Sequence, residues 1–218
     1  MSWTKAVIDS DSVIFSNGIV AFIMKGVPNC PFLIGETPVT QALWMAVEGN
    51  NPSEINTNPF FPVDNVSYPS AKAFIKHLNE ATGESFRLPT AIEWEMAAKC
   101  GDDKYPFKYA GTDDFDSIDT GRCAVKEHEP NEIGLYCLTG NVLEWTETIS
   151  TVTVNRCGIP NSLRFQCEGS TETEERILKG GSSAHGRHTS GIMYGNHYPS
   201  YYSNGLTGLR LILDRQLC

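Results

Sequence analysis

The sequence predicts an α+β fold that is rich in loops, with about three helices first and short antiparallel strands after them. Three observations point there. Between residues 36 and 101, three windows carry the 3.6-residue apolar period together with helix start and stop signals. After residue 101 that period is lost, and short apolar runs alternate with Gly, Asn, Asp and Pro. No internal repeat and no Pro/Ser-rich linker divides the 218 residues, so one domain over 1–218 is expected.

The elements follow in chain order. In 12–27, "SVIFSNGIVAFIMKGV", two β-branched apolar runs meet at Asn17-Gly18, a dipeptide that tolerates positive φ and suits a tight hairpin turn. In 36–50, Thr40 caps a helix whose Leu43, Trp44 and Val47 share a face, and Gly49 ends it. In 70–83, Ala71, Phe74, Ile75 and Leu78 form the buried stripe and Gly83 the stop. In "RLPTAIEWEMAAKCG", Thr90 and Glu93 have capping-box spacing, with Trp94, Ala97 and Ala98 behind them. Later, 134–147 reads as a turn feeding a strand, and "RILKGG" (176–181) and "GLRLIL" (208–213) read as strands.

Composition limits the function. The net charge is −9, which argues against a nucleic-acid partner, since phosphate backbones are met by clustered Lys and Arg. The acidic run at Glu168, Glu172, Glu174 and Glu175 reads as a solvated loop. No stretch approaches the ~20 apolar residues of a membrane span. No basic-then-apolar signal peptide opens the chain, so a cytoplasmic or phage- and virion-associated location is expected. The seven cysteines are odd in number, widely spaced and without a CxxC pair, which suits free thiols, although Cys157 and Cys167 have the spacing to pair across a loop.

The most unusual stretch is 183–207. Its 25 residues hold no Lys, Asp, Glu or Cys, and 14 of them are Tyr, Ser, Gly or Asn. Antibody binding loops use this palette: Tyr gives large rigid contacts and Ser, Asn and Gly give adaptable hydrogen bonds. Tyr194, Tyr198, Tyr201 and Tyr202 are the expected exposed anchors, supported by Met193 and Arg187. Ser183, His185, His188, Ser190, Asn196, His197, Ser200, Ser203, Asn204 and Thr207 complete the expected contact set. The bland alternative is a loop whose tyrosines pack on the scaffold. As metal ligands, His185, His188 and His197 are a weak signal, because no carboxylate or thiol in the segment completes a set. Ser182 follows two glycines, but the G-x-S-x-G nucleophile elbow is absent.

Six motifs occur in one register: "ETPVTQALWMAVEGNNPS", "PVDNVSYPSAKAFIKHLN", "FRLPTAIEWEMAAK", "PNEIGLYCLTGNVLEWTE", "LKGGSS" and "GLRLIL". Over about 32–213 the chain resembles the formylglycine-generating-enzyme-like (sulfatase-modifying factor) domain, a branch of the C-type lectin fold. The resemblance implies that Trp94 and Trp145 are core. It makes Asn141 and Glu144 of "GNVLEW" candidate calcium ligands, the alternative being that both hydrogen-bond neighbouring loops. Arg210 is read as an anchor for a buried loop through its fork of donors.

The oxidase members of that family use two cysteines after the GGS motif, with copper. Here those positions are His185 and Ser190, and neither imidazole nor hydroxyl repeats thiolate chemistry. The segment, framed by Gly180-Gly181-Ser182 and Gly208-Leu209-Arg210, is instead similar to the hypervariable part of variable proteins from diversity-generating retroelements. That likeness implies a non-catalytic scaffold, 1–182 plus 208–218, presenting 183–207 to a protein or cell-surface ligand, with no cofactor beyond possible calcium. Two rivals stay open: a divergent metal-dependent oxidase using His185 or His188, and a structural subunit of a virion or surface assembly. The oligomeric state is not readable from the sequence.

Overall fold

The structure is a computed structural model that describes residues 2–118, 121–150, 174–186 and 189–215. Among them are ten strands, three α-helices and one short 3-10 turn at Phe115–Ser117. Strands β1 (Thr4–Asp9), β2 (Ser12–Ser16), β3 (Ala21–Gly26), β4 (Phe32–Gly35), β5 (Phe86–Arg87) and β10 (Ile212–Asp214) form one sheet in the order β1-β2-β3-β4-β10-β5. A second sheet runs β8-β7-β6-β9, from Asn196–Pro199, Glu175–Lys179, Leu143–Ile149 and Thr207–Gly208. All pairings are antiparallel except β6 with β9, which is parallel.

The helices lie where their punctuation puts them. In α1 (Gln41–Glu48), the Thr40 hydroxyl accepts from the Leu43 N–H, and Gly49 closes the helix at φ 72°. Helix α2 (Tyr68–Thr82) starts three residues before its apolar stripe, because Ser67 caps it and Pro69 suits the first turn. Its buried residues are Ala71, Phe74, Ile75 and Leu78. Helix α3 (Ala91–Ala98) has both bonds of the Thr90–Glu93 capping box.

Two strand expectations need correction, and one strand was not foreseen. The hairpin joining β2 to β3 is not a two-residue turn: Ser16 pairs with Ala21 across a four-residue loop, 17–20. Gly18 takes a positive φ of 85° and Asn17 does not; the Asn17 Oδ1 instead accepts from the N–H groups of Ile19 and Val20. Strand β1 had no signal, because both its faces are exposed and it carries no apolar alternation. "GLRLIL" is not one strand. Gly208 belongs to β9 in the second sheet, Ile212 and Leu213 to β10 in the first, and 209–211 cross between them.

Two apolar clusters fill the interior. One holds Trp44, Phe74, Leu78, Trp145 and Leu178, with the Trp44 and Phe74 rings stacked 4.7 Å apart. The other holds Ile34, Trp94, Leu135, Ile192 and Ile212. Trp94 and Trp145 are both fully buried. Arg210, 0% exposed, ties the chain together from the crossing point. It donates to the carbonyls of Gly35, Glu36, Tyr136 and Cys137 and pairs with Glu144 at 2.8 Å.

Candidate functional site

The segment 183–207 is fixed at its entrance by backbone that only glycine tolerates well. Gly180 and Gly181 take φ of 91° and 71°. A Cβ on Gly180 would meet the Leu138 carbonyl oxygen at 3.0 Å, and one on Gly181 would meet the Ser190 hydroxyl at 2.5 Å. Ser182 is buried, and its Oγ lies 2.6 Å from His185 Nδ1 and accepts from the Ala184 N–H. The Ser183 N–H donates to the Asn141 carbonyl.

Further along, the segment sends residues inward. Ile192 joins the second core cluster, and its N–H donates to the Lys108 carbonyl. Residues 196–199 form β8, paired with β7 in the register Ile177–His197 and Arg176–Tyr198. The loop after β8 is gripped by charges from elsewhere in the chain. Gly205 donates its N–H to Glu54 Oε1 at 2.8 Å and accepts from Arg122 through its carbonyl. Arg122 is held in turn by Asp64 at 3.0 Å. The Asn65 N–H donates to the Asn204 carbonyl, and the Thr207 hydroxyl bonds the backbone of Asn204.

These contacts divide the expected contact residues. Ser190, Asn196 and Thr207 are buried, so their side chains face protein rather than solvent. Asn204 spends its side chain on the turn, donating to Tyr202 Oη and accepting from the Leu206 N–H. Tyr198 and Tyr202 are half-buried and stack at 4.3 Å with ring planes 9° apart, so they are not free anchors. Ser183 and Ser200 are half-buried. Met193, Tyr194 and Tyr201 are 66%, 42% and 63% exposed, and His197 and Ser203 are exposed as well. Arg187 and His188 lie outside the described residues, as do Cys157, Cys167, Glu168 and Glu172. Of the acidic run, Glu175 opens β7 rather than lying in a loop.

The chemistry of the candidate catalytic and metal positions is also defined. Burial pushes the His185 imidazole below its usual range, with an opposing upward pull from Asn196. Sequence spacing gave no sign of the Ser182–His185 contact, but the Ser182 hydroxyl is 1% exposed and faces protein, not solvent. His197 bonds the Ser150 hydroxyl through Nδ1. The Glu144 carboxylate is committed within the protein. Arg210 holds both its carboxylate oxygens and the Trp94 indole N–H donates to one, so a cation there would face a guanidinium. Asn141, at φ 56°, donates to the Cys123 carbonyl. Among the described residues, no three His, Cys, Asp or Glu side chains are grouped to hold a metal ion, and no helix is long and apolar enough to cross a membrane.

The framework that holds the segment is two sheets, a Gly-Gly entrance and a buried Arg210 at the crossing between them. The chain belongs to the family of sulfatase-modifying factor enzyme 1-like domains, whose model matches residues 17–215, and it has the C-type lectin fold. The formylglycine-generating enzyme of Thermomonospora curvata is 32% identical in an alignment 202 residues long that covers 82% of this chain and 64% of that enzyme. The chain thus spans less than two thirds of that relative. The solved Treponema denticola variable protein 1 matches with a TM-score of 0.75 at 25% identity, over 93% of this chain and 99% of that one. The U1 variant of the Major Tropism Determinant matches with a TM-score of 0.53 at 14% identity, over 98% of this chain and 55% of that one, a likeness of fold.

Proposed function

We propose that this protein is a non-catalytic binding protein of the diversity-generating-retroelement kind. In this reading it presents the exposed side chains of 183–207 to a protein or cell-surface ligand. One observation carries the proposal. Met193, Tyr194, His197, Tyr201 and Ser203 stand in solvent on a backbone that other residues hold in place. A rigid loop pays little ordering entropy on binding, and exposed aromatics supply the contact area. The match to a variable protein over nearly the whole of both chains supports the same reading.

The enzyme reading is disfavoured by the residues themselves. The positions that resemblance assigns to the oxidase cysteines are a buried serine packed on Gly181 and a half-buried histidine bonded to Ser182. Two experiments test the proposal. Arrays of purified cell-surface proteins and glycans, probed with the full chain, are expected to yield a ligand. Its affinity should fall roughly tenfold or more in Tyr194→Ala/Tyr201→Ala, a change of about 1.4 kcal/mol. Equal binding by the variant contradicts the proposal. So does one equivalent of copper or iron in the purified protein that is lost on His185→Ala.

A further inference from the structure

Two thiols of the chain meet at one buried amide. Cys123 and Cys137 are 6% and 9% exposed. The Asn141 Nδ2 lies 3.3 Å from the Cys123 sulfur and 3.7 Å from the Cys137 sulfur, and it also donates to the Cys123 carbonyl. A second contact fixes the same arrangement. The Cys137 thiol donates at 3.3 Å to the carbonyl of Val125, two residues past Cys123. Residues 124–136 thus form a loop whose neck is closed by the two sulfurs.

Buried thiols can pack simply as small apolar groups. The amide argues for more here. Asn141 is 1% exposed, and its Oδ1 finds no hydrogen-bond partner among the described residues. A buried oxygen left unpaired is costly, so the side chain is placed for its donor end. N–H groups aimed at sulfur stand where negative charge gathers during thiol–disulfide exchange, because the thiolate is the attacking form. Cys137 at φ 52° and Asn141 at φ 56° are both held in the left-handed region. Side chains rarely adopt it unless their surroundings impose it.

The pair also sits where both ends of 183–207 are held. Cys123 follows Arg122, which donates to the Gly205 carbonyl. The Asn141 carbonyl accepts from the Ser183 N–H, and the Cys137 carbonyl accepts from Arg210. We propose that Cys123 and Cys137 form a reversible disulfide by exchange with a low-molecular-weight disulfide such as oxidised glutathione. One protein thiolate attacks the small disulfide, which leaves a mixed disulfide and releases one small thiol. The other protein thiolate then attacks the protein sulfur of that mixed disulfide, and the second small thiol departs. The two protons lost by the protein thiols end on the two released thiols. The new bond joins the backbone beside Arg122 to the turn that carries Asn141. It does not depend on what the segment binds.

The test equilibrates the full chain in buffers of rising oxidised-to-reduced glutathione ratio. Exchange is quenched with acid, remaining thiols are alkylated, and the peptides are mapped by mass spectrometry. The expected result is a peptide pair joined through Cys123 and Cys137. Both positions should lose alkylation together and regain it with dithiothreitol. The joined pair should vanish in Cys123→Ser and in Cys137→Ser, and the map of the unaltered chain decides the matter even where a variant folds poorly. Full alkylation of both thiols at the most oxidising ratio overturns the proposal. So does a bond from either sulfur to any other cysteine, or a map that shows only glutathione on either one. Protection that a metal chelator removes, with no joined peptide, assigns the thiols to an ion and overturns it equally.

Discussion

The Trp94–Glu144–Arg210 cluster and the segment 183–207 adjoin in the fold and are held in opposite ways. In the cluster, side chains hold side chains: Trp94 Nε1 donates to Glu144, and Glu144 pairs with Arg210, all without solvent. Their identity is their role. In the segment, scaffold groups hold backbone: Glu54 and Arg122 grip the two polar groups of Gly205, and Lys108 accepts from the N–H of Ile192. The side chains of Tyr194 and Tyr201 are left out of that holding. A chain can therefore be invariant in shape and free in surface within one loop.

The comparison breaks most visibly at Arg210. Arg210→Leu leaves Glu144 charged and buried, and removes the donor from four carbonyls. It should cost roughly 3–5 kcal/mol in denaturant unfolding. A loss below about 1 kcal/mol would mean that the cluster does not hold the sheets together. A smaller effect is expected inside the segment at the stacked pair. Tyr198→Ala or Tyr202→Ala should each cost roughly 1–2 kcal/mol, from lost stacking and partial burial. The smallest belongs to Tyr194→Ala and Tyr201→Ala, which should stay within about 0.5 kcal/mol. Equal losses at all four tyrosines would erase the division between anchor and display.

Much of the first half was legible, because its signals are local. Thr40, Thr90, Gly49 and Gly83 act on N–H and C=O groups within a turn of themselves, so spacing alone places α1, α2 and α3. The site was legible only in outline. Composition marks 183–207 as contact-forming, but Ser190 and Ser203 have the same composition and opposite fates, one packed on Gly181 and one in solvent. Ser190 is set apart by its packing on Gly181, and the groups that hold the Gly205 backbone, Glu54 and Arg122, lie more than 50 residues from the segment. "GLRLIL" misled for a related reason: an apolar run records burial, not which sheet buries it. β1 gave no pattern because it buries neither face.

The most direct test of the account is to sequence the codons for 183–207 in many independent copies of the gene, together with the adjoining DNA. The account predicts substitutions concentrated at Met193, Tyr194, His197, Tyr201 and Ser203, with Ser190, Ile192, Pro199, Gly205 and Thr207 retained. It also predicts a near-copy of the segment close by, differing mainly at adenines, beside a reverse transcriptase gene. Substitutions spread evenly over buried and exposed positions, or a segment identical in every copy with no such repeat, would contradict it.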